Sequence, residues 1–333
     1  MRKYLLPKNG NYYKANLHCH TICSDGKMTP EDIKRAYTER GYSIVAYTDH
    51  DVFITHNELK DDNFLPLNGY ELSFKGDKVC HICAISLDEE LKTQKIFYKS
   101  VFEEKNFGKL HYDSNGEYLE RQYSPEFISK TTNTLRNDNF FVTYNHPVWS
   151  METCDEYCNY HGIHAMEIVN YGCVIEGYSD RNGNIYDQIL RGNKKIFCIA
   201  TDDNHNIYPF EHPKSDSFGG FTMIKAEKLE YEVISQALLN GHFYASEGPE
   251  IKELYFEDGK IHIKSSEATR IIMTTCLRHY RTATADKKGE VISEAIFNIV
   301  PELTGEYVRF TVVDKDGKEA HTNAYFLSDF FSE

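Results

Sequence analysis

Short apolar runs alternate with amphipathic stretches over roughly the first 210 residues. Residues 15–18, 43–48, 64–67, 79–85, 140–144, 165–169 and 196–200 read as strands, because each is a brief run rich in β-branched, aromatic or small apolar side chains. Helical patterns lie between several of them. The clearest covers residues 29–40, where Thr29 suits an N-cap, Pro30 suits the first turn and Gly41 marks the end. Repeated strand–helix alternation predicts parallel β/α units, closed as a barrel or left as an open sheet. A further strand at 220–225 and a helix at 231–239 carry the pattern to Gly248.

Beyond Gly248-Pro249 the pattern changes. Asp258-Gly259 and Asp316-Gly317 are hairpin signals flanked by alternating runs at 261–263 and 308–313, and no strong helix is apparent. The chain therefore divides into an α/β region, 1–248, and a small all-β, β-sandwich-like domain, 249–333. The longest insertion, about Thr93 to Asp138, is rich in Tyr, Phe, Asn and Lys. It reads as a substrate lid or as an aromatic outer layer.

Composition narrows the field. A hydrophobic content of 41% with 26% charged residues describes a folded globular chain. No apolar run reaches membrane-spanning length, and the amino-terminal stretch lacks the apolar core of an export signal, so a cytoplasmic location is expected and no membrane partner. A formal charge of −14 opposes binding to duplex nucleic acid, although a local pocket can still be cationic. The nine cysteines follow no disulfide rhythm and read as free thiols.

The 15 histidines acquire meaning from position. The first strand runs into HCHTICSDG, which holds His18, His20 and Asp25, and the second ends in YTDHD, with Asp49, His50 and Asp51. Glu71 follows the third strand, and His81 lies within the fourth. His146 ends the fifth, while Asp202, Asp203 and His205 end the seventh. In a parallel β/α fold the carboxyl ends of the strands share one face. Alternation puts His18 and His20 on one side of an extended segment, and Asp203 and His205 likewise. An isolated HxH pair arises easily by chance, and an isolated buried His is usually a core residue. Six coincidences at successive strand ends are a different matter. Mixed imidazole and carboxylate donors suit Zn, Mn or Fe. At least nine donors exceed one tetrahedral shell, so two or three divalent ions are expected, with Glu71 bridging. Such a centre hydrolyses a phosphoester or another ester-like group.

These motifs (HxHxxxxDG, TDHD, Gly-x-Glu, NHP and DxH, in that order) resemble the PHP family, the polymerase and histidinol phosphatase metallohydrolases. The resemblance implies a distorted, TIM-like (β/α)7 barrel with a di- or trinuclear metal centre. Carried over, it places His18, His20, Glu71 and Asp203 around one ion, Glu71, His81 and His146 around a second, and Asp25, His50 and His205 around a third. Asp49 and Asp202 then support the ligands rather than bind metal. Glu167-Ile168-Val169-Asn170, GHFYASEGPEI and HTNAYF resemble stand-alone bacterial members with a carboxyl-terminal β domain. Relatives of this kind include phosphoesterases and enzymes that cleave carbamate or amide bonds.

The expected function is hydrolysis of a small phosphomonoester or nucleotide by a metal-bridging hydroxide. The alternative is a carbamate, amide or ester hydrolase built on the same centre. A non-catalytic metal-holding module and a polymerase-linked exonuclease are weaker readings. Two further residues are catalytic candidates. Arg181 in SDRNGN offers a guanidinium to an anionic substrate, and His56 a proton donor; the plain alternatives are an exposed loop Arg and a helix-start His. Trp149 either lines the mouth or packs beneath it. Cys80 and Cys83 point to opposite faces of a strand, which argues against a redox pair.

Overall fold

The computed structural model describes residues 2–192 and 194–331. It is a mixed α/β structure dominated by one long sheet. In spatial order the first strands are Phe197–Thr201, Ala165–Asn170, Phe140–Tyr144, Val79–Ser86, Leu65–Lys75, Tyr42–Tyr47 and Asn11–Asn16. The sheet then continues through Phe221–Ala226, Phe243–Ser246, Glu319–Thr322, Tyr307–Val313, Arg270–Thr275 and Arg281–Ala283.

Several elements form as the sequence predicts. Helix Pro30–Thr38 is capped by Thr29, whose hydroxyl accepts from Asp32 N at 3.1 Å, and Gly41 follows it at φ 76°. Helix Tyr231–Leu239 packs Ile234, Ala237 and Leu238 on the apolar face of the sheet. Phe140–Tyr144 and Ala165–Asn170 are buried along their whole length, as strands covered on both faces must be.

Two expectations are corrected. Strand–helix alternation is incomplete: only a short 3₁₀ turn, Asn57–Leu59, lies between Tyr42–Tyr47 and Leu65–Lys75, and Leu65–Lys75 turns directly into Val79–Ser86. Val79–Ser86 therefore runs antiparallel to both its neighbours. There is also no closed barrel among the described residues, because no ladder joins Phe197–Thr201 to the strand at the other limb. The limbs meet instead through a single parallel bridge, Cys19 to Asn204, where Asp203 N donates to His18 O at 3.0 Å and His20 N to Asn204 O at 3.1 Å. Gly220 permits the close passage there, since a Cβ would come within 2.3 Å of Thr201 O.

The 93–138 insertion has its own parallel strand pair, Gln94–Phe97 with Tyr112–Tyr118, and two helices, Val101–Asn106 and Pro125–Asn137. Toward the carboxyl terminus, Glu319–Thr322 pairs with Phe243–Ser246, so the long sheet runs on into the last part of the chain. A second sheet orders Lys3–Tyr4, Ile251–Glu257, Lys260–Ala268 and Ile292–Asn298. Its first long hairpin turns at Asp258 and Gly259, both at positive φ, as a two-residue loop requires. Ile251, Leu254, Ile263, Met273, Phe310 and Val312 form one core between the sheets. Helix Gly183–Arg191 is tied to Tyr307–Val313 by a buried pair, with Arg309 Nε and Nη2 each 2.8 Å from an oxygen of Asp187.

Candidate metal centre

Glu71 is the hub of a buried polar cluster. Its Oε1 lies 3.2 Å from His18 Nε2, 3.2 Å from His81 Nδ1 and 3.5 Å from His146 Nε2. Its Oε2 lies 3.0 Å from His50 Nδ1 and 3.4 Å from His20 Nε2. Asp203 Oδ1 is 3.1 Å from the Nε2 atoms of both His18 and His20. On the outer side, Asp25 faces His205 at 3.5 Å and both His20 and His50 at 3.8 Å. Eight of the nine residues gather into overlapping groups, and His146 stands beside them on Glu71. His18, His20 and Asp203 form one, His50, Glu71 and His81 a second, and His20, Asp25, His50 and His205 a third. In the second group His50 stands closer to Glu71 than His146 does.

The antiparallel course of Val79–Ser86 explains the place of His81. Residue 81 is near the start of its strand, opposite Ser73, and that end coincides with the carboxyl ends of the parallel strands. Three residues at the site hold positive φ without being glycine: Asp51 (63°), His146 (26°) and Asp203 (51°). Backbone bonds fix them, from Asp51 N to Glu71 O, His146 N to Glu167 Oε2 and Asp203 N to His18 O. Sparsely populated conformations concentrate where geometry serves function.

The donor set fits cations. Glu71 Oε2, Asp203 Oδ1, Asp25 Oδ1 and His50 Nδ1 are buried and lack hydrogen-bond partners. Buried polar atoms without partners are rare in folded proteins. Burial opposes ionisation of Glu71, but His81, His18 and His50 outweigh it and hold the carboxyl well below its usual range. Burial likewise opposes ionisation of Asp203, and His18 and His20 overcome it. Burial instead wins at His81 and at His205, each pushed down to about 4, and so keeps these rings neutral as ligands need.

Supporting residues surround the cluster. Glu167 accepts from His18 Nδ1 at 2.8 Å and from Thr201 Oγ1 at 2.6 Å, which turns His18 Nε2 toward Glu71. Asp49 accepts from the N and Oγ of Ser24 and the N and Oγ1 of Thr21, fastening the HCHTICSDG loop. Asp202 accepts from Tyr37 OH and from the backbone N–H groups of Phe218, Gly219 and Gly220; burial pushes its carboxyl up to about 6.

The cluster floors a cavity of about 1060 Å³. Phe102 stacks on His50 at 5.9 Å, and Trp149 packs against His146 at 4.8 Å and His81 at 5.3 Å, so Trp149 lines the cavity and packs on two of these histidines at once. Lys75, Lys99, Arg121 and Lys214 also reach its wall. The two proposed catalytic side chains are elsewhere. Arg181 forms a two-pronged pair with Glu247, 2.7 Å at its shortest, and does not line the cavity. His56 is buried beside Tyr47, away from the cavity wall. Arg121 occupies the place expected of Arg181. It crosses from the insertion to bond Asp51 and, at 2.9 Å, Ser73 O. Nothing in the local sequence of the insertion singled out residue 121.

No family model and no curated protein matches the chain. Solved structures do resemble it. A two-domain protein from Bacteroides vulgatus, named for a predicted PHP-like metal-dependent phosphoesterase, aligns over 97% of each chain at 16% identity and a TM-score of 0.46. A protein from Bifidobacterium adolescentis, named as a metal-dependent phosphoesterase, aligns with 60% of this chain and 89% of its own at 14% identity and a TM-score of 0.38. An amidohydrolase from Chromobacterium violaceum aligns with 57% of this chain and 87% of its own at 15% identity and a TM-score of 0.39.

Proposed function

We propose that this chain is a PHP-type metal-dependent hydrolase that cleaves a small phosphomonoester or nucleotide. One observation carries the reading: five imidazoles surround Glu71 at the floor of an open cavity, with Asp203, Asp25 and His205 beside them and with buried carboxylate oxygens that lack hydrogen-bond partners. His18, His20, Glu71 and Asp203 would hold one divalent ion, Glu71, His81 and His146 with His50 a second, and Asp25, His50 and His205 a third. Zn, Mn and Fe suit these donors, and when bound they supply an acidified water and neutralise charge on the scissile group.

The chain's own contribution is placement. Glu167 fixes the His18 ring, and Asp49 holds the loop that carries His20 and Asp25. Phe102 and Trp149 shield the histidines from bulk water, which strengthens every charge interaction inside. Lys75, Lys99, Arg121 and Lys214 favour a small anionic substrate within an acidic protein. The curled sheet is then an open, distorted version of the (β/α)7 arrangement, bridged at Cys19 and Asn204. We place the hydrolase in residues 1–248 and a β-sandwich-like domain in 249–333, in a cytoplasmic protein that does not engage duplex nucleic acid. No helix among the described residues is long and apolar enough to cross a membrane.

The apolar part of the cavity wall, with Val101, Ile175 and Ile207 beside the aromatic rings, favours a second reading, hydrolysis of a carbamate, amide or ester at the same centre. A substrate panel decides. Protein reconstituted with Mn, Fe or Zn should release phosphate from phosphomonoesters or nucleotides. Activity confined to carbonyl substrates selects the second reading, and none on either panel overturns both.

A further inference from the structure

A second group of metal-ligating side chains lies apart from the Glu71 centre. Cys23, Asp49 and His56 are all buried, and each brings a ligand atom within 4.8 Å of the others. None of the three lines the cavity.

The His56 ring is held in place for a ligand it does not find in the protein. Its backbone N donates to Asn68 Oδ1 at 2.9 Å, and its ring packs on Tyr47 with centroids 4.8 Å apart. Nδ1 faces Glu58 Oε1 at 3.5 Å. A carboxylate beside Nδ1 favours the tautomer protonated there, which leaves a lone pair on Nε2. That Nε2 is buried without a hydrogen-bond partner, in a residue only 5% exposed. Asp49 is not saturated. Its Oδ1 takes three hydrogen bonds, but Oδ2 takes only the one from Thr21 Oγ1 at 2.8 Å. A carboxylate oxygen has about two acceptor sites, so one remains on Oδ2. Packing against Val52 and Leu110 accounts for Cys23 as a small apolar residue, but it leaves the bare imidazole nitrogen unexplained.

We propose that Cys23, Asp49 and His56 form a separate zinc site beneath the HCHTICSDG loop. Thiolate, imidazole and carboxylate together are a zinc-type donor set. Binding replaces the Cys23 thiol proton, which passes to solvent. The site would pin Cys23, two residues before Asp25, to Asp49, one residue before His50. It would thereby set the spacing of two ligand-bearing segments without touching substrate.

Cobalt reads the site directly. Protein stripped with chelator and loaded with Co²⁺ should show a near-ultraviolet thiolate-to-cobalt band. That band should vanish in Cys23→Ser and His56→Gln and persist in Cys83→Ser, which removes the other thiol near metal donors. Elemental analysis should find one zinc fewer per chain in Cys23→Ser than in the unaltered protein. The absence of a band in the unaltered protein overturns the proposal whatever the variants do, and so does a band lost only with Cys83→Ser. The band reports thiolate coordination alone, so its outcome is independent of whether the Glu71 centre hydrolyses anything.

Discussion

Two buried groups of charges in this molecule obey opposite rules. Asp187 and Arg309 meet through two bonds of 2.8 Å, with Tyr307 OH donating to Asp187 at 3.1 Å and Gly183 O accepting from Arg309. Both carboxylate oxygens and the guanidinium find partners, so the group needs nothing from outside. Around Glu71 and Asp203, five imidazoles crowd two carboxylates, yet Glu71 Oε2 and Asp203 Oδ1 remain without hydrogen bonds. The first arrangement joins a helix to a sheet. The second makes sense as a receptacle for cations. What marks the site is the absence of internal partners, more than burial or charge.

The contrast is sharpest if each group is broken separately. Glu71→Gln should reduce kcat/KM by at least about a thousandfold, about 4 kcal/mol of lost transition-state stabilisation. Elemental analysis should show metal lost from the centre while circular dichroism stays unchanged. Full metal retention would sink the bridging role. Asp187→Ala should do the reverse. It leaves Arg309 charged and buried, a loss of about 3–5 kcal/mol of stability. Urea unfolding should report that loss, with metal content per folded chain unaltered. If the variant is as stable as the parent, the pair is not the strut described here.

A smaller effect is expected one layer out. Glu167→Gln keeps the shape but weakens the hold on His18 Nδ1, and metal affinity should fall about 10–100-fold. Competition with a chromophoric chelator measures it. Unchanged affinity would mean that the ring is oriented by packing alone.

How much of this was legible beforehand depends on the range of the interaction. His18 and His20 could be paired from strand alternation, and the other members of the Glu71 cluster from the rule that strand ends share a face; both arguments are local. The course of Val79–Ser86 was less accessible, because a missing helix reverses a strand without altering its own pattern. His81 reached the centre by that reversal. Arg121 and Arg181 show the limit. Whether a guanidinium faces the cavity depends on which carboxylate captures it, Asp51 in one case and Glu247 in the other, across 70 and 66 residues of chain. Nothing in either neighbourhood encodes that choice. The open sheet was hidden for the same reason, since the limbs meet through contacts between distant residues, the Cys19–Asn204 bridge and the Asn16–Asn204 side-chain bond among them.

The last prediction concerns a buried histidine outside the Glu71 cluster. His164 Nδ1 accepts from Val142 N at 3.1 Å, and its ring stacks on Phe141 at 5.1 Å. Burial, assisted by the Arg136 charge, lowers its pKa from 6.5 to about 4. The folded chain therefore keeps this ring neutral where the unfolded chain protonates it. Its contribution is fully present above pH 6.5 and is lost as the pH falls toward about 4, a change of at most about 3 kcal/mol. His164→Asn removes the titrating group, and its amide oxygen can still accept from Val142 N. Urea midpoints measured from pH 7.5 to 4.5 should fall less steeply for this variant than for the parent, although other groups shape both curves. Parallel curves would mean that the ring does not stay neutral in the fold.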